Sequence, residues 1–305
     1  MSGRRARLDR ELVRRGLAPS RERAADMIAA GQVRVTGQRA TKAATLVEAS
    51  APIVLVTPED DPGYASRGAH KLAGALRDFA ARGAAPPVAG RRCLDAGAST
   101  GGFTDVLLRA GAASVLAVDV GYGQLAWRLR TDPRVTVIER TNIRYLRPGE
   151  LGPPVDLVVA DLSFISLRLV LPALRGLAEP EADFVLLVKP QFEVGRDALG
   201  RGGVVRDPDA RAGAVRAVAA AASGLGLGVR SVVASRLPGP AGNVEFVVWF
   251  AAGAGELAED ELARAVADSP AIADSPAVAD GPAVADGPAA AGGRGGEAAD
   301  TEERG

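Results

Sequence analysis

The stretch Arg92-Cys-Leu-Asp-Ala-Gly-Ala-Ser-Thr-Gly-Gly-Phe103 decides how the rest of the chain is read. A short apolar run ends in Asp95. Glycines follow at 97, 101 and 102, and the run from Phe103 to Leu108 is amphipathic. This order predicts a strand, a tight glycine turn and a helix. Such a turn places bare backbone N–H groups and a helix N-terminus at the carboxyl edge of a parallel sheet, where α/β folds hold nucleotide-like ligands. It is not a P-loop, because Gly-Lys-Ser/Thr is missing. It is not the dinucleotide fingerprint either, because that needs glycine where Ser99 stands. A purely structural strand-to-helix turn is the alternative at this point.

Working outward, the same unit recurs. Val115-Leu-Ala-Val-Asp119 ends in an acid one βα unit later, where a carboxylate typically grips ribose hydroxyls. Val135 to Glu139 is a third strand, with Thr141 and Asn142 at its carboxyl end. Asp156-Leu-Val-Val-Ala-Asp161 and Phe184-Val-Leu-Leu-Val-Lys189 are the fourth and fifth. Each is a continuous apolar run with helical sequence before the next, which predicts a parallel sheet covered on both faces. A strand near Val229–Ala234, a Pro/Gly turn at 238–242 and a last strand from Val244 to Phe250 close the pattern as a hairpin-like pair. The expected fold class is therefore α/β, a Rossmann-like, mostly parallel seven-stranded sheet with its last strand antiparallel. Asp95, Asp119, Asp161 and Lys189 would sit at its carboxyl edge. Glu245 opens an apolar strand and either frays at the edge or faces the site.

The chain has 37 basic residues, and only Lys42, Lys71 and Lys189 are lysines. Where arginine serves every need for plain charge, a lysine survives by accident or where a titratable amine on a slim stem is required. Lys71 lies in Ser66-Arg-Gly-Ala-His-Lys-Leu, which opens a helix presenting Leu72, Leu76 and Phe79 to a core. His70 receives no role.

The net charge of zero hides an asymmetry. Residues 1–50 carry eleven Arg/Lys against five Asp/Glu, and residues 251–305 carry three against twelve. The N-terminal segment reads as two short helices, the second capped by Ser20 and stopped at Gly31, then strands at Val33–Val35 and Ile53–Val56. Its polar faces carry Arg4, Arg5, Arg7, Arg14, Arg15, Arg21, Arg23 and Arg34, a patch suited to neutralising RNA phosphates. A Pro/Asp-rich linker follows. Gln191 to Asp207, glycine-rich with Arg196, Arg201 and Arg206, is either an ordinary loop or a mobile basic lid. Residues 253–305 repeat Ala-Val-Ala-Asp-Ser/Gly-Pro and are expected to be a disordered, dispensable acidic tail. The expected parts are an RNA-binding domain at 1–56, a linker at 57–65, an α/β domain at 66–252 and the tail at 253–305.

Composition excludes several classes. With Cys93 alone there is no disulfide framework or cysteine metal site, and one histidine rules out a histidine-rich one, so no metal is expected. The arginine-rich start lacks the apolar core of a signal peptide, and no uncharged run reaches the ~18 residues of a membrane helix, so a cytoplasmic protein is expected.

Asp-x-Gly-x-x-x-Gly-Gly resembles the first motif of methyltransferases that use S-adenosylmethionine (SAM). The pattern Leu-Asp-Arg-Glu-Leu-Val…Ser-Arg-Glu-Arg-Ala…Ile-x-Ala-Gly-Gln-Val-Arg-Val-x-Gly resembles the RNA-binding domain of ribosomal protein S4 over residues 5–56. Lys71, Asp161, Lys189 and Glu245 match the Lys-Asp-Lys-Glu set of FtsJ-type RNA 2′-O-methyltransferases. Ser66-Arg-Gly-Ala-His-Lys-Leu, Asp95-Ala-Gly-Ala-Ser-Thr-Gly-Gly-Phe-Thr-Asp105, Val118-Asp-Val-Gly-Tyr-Gly-Gln-Leu125, Asp161-Leu-Ser-Phe-Ile-Ser166 and Lys189-Pro-Gln-Phe-Glu193 resemble the TlyA family. That family comprises rRNA cytidine-2′-O-methyltransferases historically labelled hemolysins.

The resemblance implies SAM as cofactor, held by Asp95, Gly97, Ser99, Thr100, Gly101, Gly102, Phe103, Asp119 and Asn142. It implies catalysis by Lys71, Asp161, Lys189 and Glu245, with Lys189 as base or as the group polarising the hydroxyl. It implies 16S and/or 23S rRNA as substrate, met by Arg4, Arg7, Arg14, Arg15, Arg21, Arg23, Arg34 and Arg67. The competing readings are a non-catalytic RNA-binding protein on this fold and a hemolysin.

Overall fold

The computed structural model describes residues 5–36, 38–48, 50–55, 63–195 and 199–270. Arg4, Arg196, most of the linker and the repeats after Pro270 lie outside these residues.

The N-terminal unit comprises β1 (Arg5–Arg7), α1 (Leu8–Arg14), α2 (Arg21–Ala29), β2 (Val33–Val35), β3 (Gln38–Arg39), β4 (Leu46–Glu48) and β5 (Ile53–Leu55). Apolar residues at helical spacing put Leu8, Leu12, Ala24 and Ile28 into a small core with Val33 and Val47. Ser20 caps α2, its hydroxyl accepting the Arg23 N–H. β2 pairs with β3 and β5, and β1 pairs with β4. The sequence reading missed β1 and β4, since three-residue strands exist only through their partner.

The second unit follows as α3 (Ala69–Ala81), β6 (Arg92–Ala96), α4 (Gly102–Arg109), β7 (Ser114–Val118), α5 (Trp127–Arg130), β8 (Val135–Ile138) and β9 (Val155–Ala160). It continues with α6 (Leu167–Gly176), β10 (Ala178–Val188), α7 (Pro190–Glu193), α8 (Pro208–Ser223), β11 (Leu227–Ala234), β12 (Phe246–Ala252) and α9 (Glu259–Ala267). Its seven strands lie in the order β11-β12-β10-β9-β6-β7-β8. All neighbours are parallel except β12, which runs antiparallel to both β10 and β11. The order reverses between β6 and β9, so the crevice at their carboxyl ends is the expected ligand position.

Successive strand residues face opposite cores. Leu94 and Val158 join α6 and α8 on one side, while Cys93 and Leu157 join α3 and α4 on the other. Among the described residues, no helix is long and apolar enough to cross a membrane.

Two expectations change. Residues 259–267, assigned from composition to the disordered tail, form α9. Its Leu262 and Ala265 are 1% exposed within the α6/α8 core, and Glu261 accepts from Ser231 Oγ (2.5 Å) on edge strand β11. Small alanines around one leucine suffice here because the strand edge supplies the other half of the contact. Truncation after Gly253 is therefore expected to destabilise the protein. Leu262→Ala alone should cost about 2–5 kcal/mol in denaturant unfolding, because it opens a cavity in a closed core; an unchanged midpoint would show that α9 contributes nothing.

The described part of the basic loop is anchored, not a free lid. Val204 and Val205 are buried. The Asn243 side chain accepts the Val205 N–H (2.9 Å) and donates to the Gly203 carbonyl (3.0 Å).

Candidate active site

The strand ends bring the predicted groups to one edge. Asp95 closes β6, fully buried. One of its oxygens accepts from Thr104 Oγ1 at 2.6 Å, and the other has no partner. Burial, with the Asp161 and Asp119 carboxylates adding to it and the Thr104 hydrogen bonds opposing it, pushes the Asp95 carboxyl up to about 7. Between an unfolded value near 4 and about 7, the folded chain holds a proton that the unfolded chain has lost. Stability should therefore fall as pH rises through that window. Asp95→Asn should remove this slope in thermal unfolding between pH 4.5 and 7.5, and an unaltered slope would assign it to other groups.

The turn after Asp95 is tight because β9 ends against it. Gly97 has φ +87°, and a Cβ there would lie 2.6 Å from the Asp161 carbonyl oxygen. Gly101 has φ +95° and faces Leu125 and Leu129 of the α5 region. These glycines are thus required by packing within the protein as well as by any ligand. Gly102 starts α4. Phe103 turns its ring into the core, which leaves only its backbone at the turn. Ser99 (φ +47°) donates its N–H to Asp119 Oδ2 at 2.8 Å, and Thr100 is exposed. Asp119 also accepts the Gly121 N–H at 2.6 Å. The Asn142 side chain accepts the Arg144 N–H at 3.1 Å, capping a single turn after β8.

Asp95, Asp119 and Asp161 are three carboxylates gathered at the strand ends around a turn with no basic residue of its own. Asp161 is paired with Lys189 at this edge, so the acidic side of the turn is Asp119 with the buried Asp95, and it suits a ligand that offers ribose hydroxyls and a positive charge. The residues present fit SAM, a sulfonium with an amino group, better than a nucleotide polyphosphate.

The four expected catalytic groups form two separate pairs. Lys189, at the end of β10, places Nζ 2.6 Å from Asp161 Oδ1 and 2.9 Å from Ser163 Oγ. Lys71, on the first turn of α3, places Nζ 2.5 Å from Glu245 Oε2, with the side chains 7% and 0% exposed. Glu245 also accepts from Gln191 Nε2 at 3.4 Å. It does not fray. It sits just before β12, whose Phe246 is in register with Val188 of β10, so the last strand carries it to the same edge as Lys189.

Sequence reasoning missed Ser163, Phe164 and Gln191 as parts of this site. Phe164, in the Asp161-Leu-Ser-Phe-Ile-Ser166 loop, has φ +62° and is 92% exposed. An aromatic three residues past the site carboxylate Asp161 was the available signal. Two arginine–aromatic stacks on the loops after β7 and β8 were also missed: Arg140 lies 4.3 Å from the Tyr122 ring centroid and Arg144 5.7 Å from that of Tyr145, both rings exposed.

The N-terminal arginines are less free than the composition suggests. Arg7 and Arg21 both bind Asp9, and Arg14 and Arg15 both bind Glu11, the two carboxylates being buried. These guanidiniums hold Asp9 well below the usual carboxylate range and Glu11 at about 2. Four arginines thus share two acids, leaving a net positive face, with Arg34 exposed. Arg23 and Arg67 line a cleft of about 350 Å³ where the N-terminal unit meets α3. There Arg67 lies 3.9 Å from Asp26. At the end of the linker, the Ala65 N–H is held by Asp105 at 2.8 Å.

Comparison with known proteins places this architecture. Residues 64–252 match the family of FtsJ-like methyltransferases, and residues 6–53 match the S4 domain. The 16S/23S rRNA (cytidine-2′-O)-methyltransferase TlyA of Mycobacterium tuberculosis is 58% identical over 272 residues, covering 88% of this chain and 99% of that one. Hemolysin A of Brachyspira hyodysenteriae is 34% identical, covering 80% and 99%. A solved structure of a hemolysin-named protein from Streptococcus thermophilus superposes with a TM-score of 0.69 at 35% identity, covering 87% of this chain and 96% of that one. With both ranges matched and a relative at this identity covering nearly its whole length, this chain belongs to the FtsJ-like methyltransferase family, as a TlyA-type member with an S4 domain before its methyltransferase domain.

Proposed function

We propose that this protein transfers the methyl group of SAM to the 2′-hydroxyl of a cytidine in ribosomal RNA. The observation that carries the proposal is the Lys189–Asp161 pair beside the buried Lys71–Glu245 pair, at the edge where the acid-lined glycine turn ends. Bound SAM supplies a methyl carbon already activated by its sulfonium. The chain supplies placement and proton removal.

In this reading the turn at 97–102 and Asp95 hold the methionine part, Asp119 the ribose hydroxyls, and the backbone near Asn142 the adenine. Lys189 takes the proton of the 2′-hydroxyl, with Asp161 holding its amine in place. Lys71, fixed by Glu245, keeps a positive charge beside the site. A base drawn out of its helix can stack on the exposed Phe164 ring. The stacked Arg140–Tyr122 and Arg144–Tyr145 pairs and the arginines of the S4 domain offer phosphate and base contacts on either side. An rRNA substrate implies a cytoplasmic location.

The test is methyl transfer from labelled SAM to purified ribosomal subunits, followed by mapping of 2′-O-methyl positions. A chain lacking residues 1–56 should keep SAM binding but lose subunit affinity, and its residual binding should depend less on salt. Methylation confined to bases, or none with SAM bound, would overturn the proposal.

A further inference from the structure

Ser163 has no role in the reading given so far, and its position is unusual for a residue without one. It is exposed, three residues past the end of β9, and its Oγ lies 2.9 Å from Lys189 Nζ. Asp161 Oδ1 lies 2.6 Å from the same nitrogen. A neutral amine on Cε has three remaining directions, two N–H bonds and one lone pair. An ionised carboxylate accepts only, and a serine hydroxyl oxygen also accepts. One acceptor alone can be met by either N–H bond, which leaves the Cε–Nζ torsion with two settings and the lone pair with two directions. Two acceptors in different directions leave one setting, in which both N–H bonds are taken and the lone pair has a single direction left.

We infer that Ser163 is a positioning residue which, with Asp161, aims the lone pair of Lys189 at the target hydroxyl. The inference rests on the reading of Lys189 as the base. The proton balance is simple. The O2′–H bond breaks as O2′–C forms and the S–C bond breaks; the S–C electron pair stays on sulfur, and the proton goes to Nζ.

The loop that carries both acceptors is itself held. Glu193, four residues after Lys189, is buried and accepts the Leu167 N–H at 2.7 Å and the Ser166 hydroxyl at 2.6 Å. The segment 161–167 is therefore tied to 189–193 at both ends, once through Lys189 and once through Glu193. Two unrelated contacts fix the distance between the acceptors and the amine, and a loop that needed only to carry Asp161 would not require the second.

The test compares the full chain with Ser163→Ala and Ser163→Thr. Because Ser163 is exposed, neither change should alter the melting temperature. At saturating SAM, Ser163→Ala should lower kcat for methyl transfer to ribosomal subunits about 10- to 100-fold with KM unchanged, the scale expected when a reacting group is misaimed. Ser163→Thr keeps an acceptor oxygen and should stay within about threefold of the wild type.

A second readout needs no activity. The chain has three lysines, so 13Cε-lysine labelling yields three resonances. The Lys189 signal should move in Ser163→Ala while those of Lys42 and Lys71 stay in place. A Ser163→Ala protein with wild-type kcat or an unmoved Lys189 resonance overturns the inference, as does a Ser163→Thr protein as slow as Ser163→Ala. A wild-type chain that transfers no methyl to rRNA instead defeats the proposed function, and the resonance comparison still decides whether Ser163 holds Lys189.

Discussion

Lys189→Arg is expected to abolish methyl transfer although it preserves the positive charge. Arginine does not deprotonate in a protein, so it offers no lone pair to the 2′-hydroxyl. Its planar fork also carries its donors further out than an amine does, so it fits no site built at 2.6 Å from Asp161 and 2.9 Å from Ser163. One group that both removes a proton and holds the nucleophile contributes about 10²–10⁴ in rate, and activity should fall by about that factor. SAM affinity should change little, since the groups proposed to hold the cofactor lie at the ends of β6, β7 and β8 and not on β10. Asp119→Ala is the control and should lose SAM affinity instead. The assay is single-turnover methyl transfer to subunits alongside calorimetric SAM binding. Full activity in Lys189→Arg would mean that this lysine supplies only charge, and the proton would then leave by Asp161 or by water.

The second large effect is expected at the Lys71–Glu245 pair, first in stability. Both side chains are almost fully enclosed, at 7% and 0% exposure. Removing either partner leaves the other as an uncompensated buried charge, at a cost of about 3–5 kcal/mol. Lys71→Met and Glu245→Leu should therefore each lower the denaturant midpoint strongly. Combining them removes both charges and fills the space with apolar groups, so the double variant should recover to near wild-type stability. Methyl transfer should stay low in all three proteins, since a refolded site without Lys71 lacks the charge held beside Lys189. A double variant that is both stable and active would reduce the pair to a structural element. A double variant no more stable than the single ones would show that the pair's hydrogen bonds, including the one from Gln191, outweigh its desolvation.

How much of this was legible beforehand depends on the range of the interaction. The run from Arg92 to Phe103 marks a strand, turn and helix because apolar periodicity and left-handed glycines are local properties. The same holds for the acids that close β6 and β7 and for the Ser20 cap of α2. Where a segment needed a distant partner, local patterns failed. The three-residue β1 and β4 read as loop without each other, and α9 read as disordered tail because alanines and valines look too small to bury a core until β11 is placed beneath them. The N-terminal arginines read as a free face because composition does not show that Asp9 and Glu11 are buried beneath them.

The candidate site divides the same way. Scarcity marked Lys71 and Lys189, and strand ends marked Asp161. Which amine meets which carboxylate was a tertiary matter. β10 lies between β9 and β12 in the sheet, so Lys189 could have turned either way. It turns toward Asp161 and Ser163 after β9, and Lys71, brought in by α3 from 174 residues away, takes Glu245 before β12. The sequence by itself determined the strands, the glycine turn and the kinds of groups at the sheet's edge, because each follows from the chemistry of a few neighbouring residues. The pairing of those groups, and the direction in which Lys189 is aimed, follow from the order of the strands and the packing of α3 against them, which no local stretch encodes.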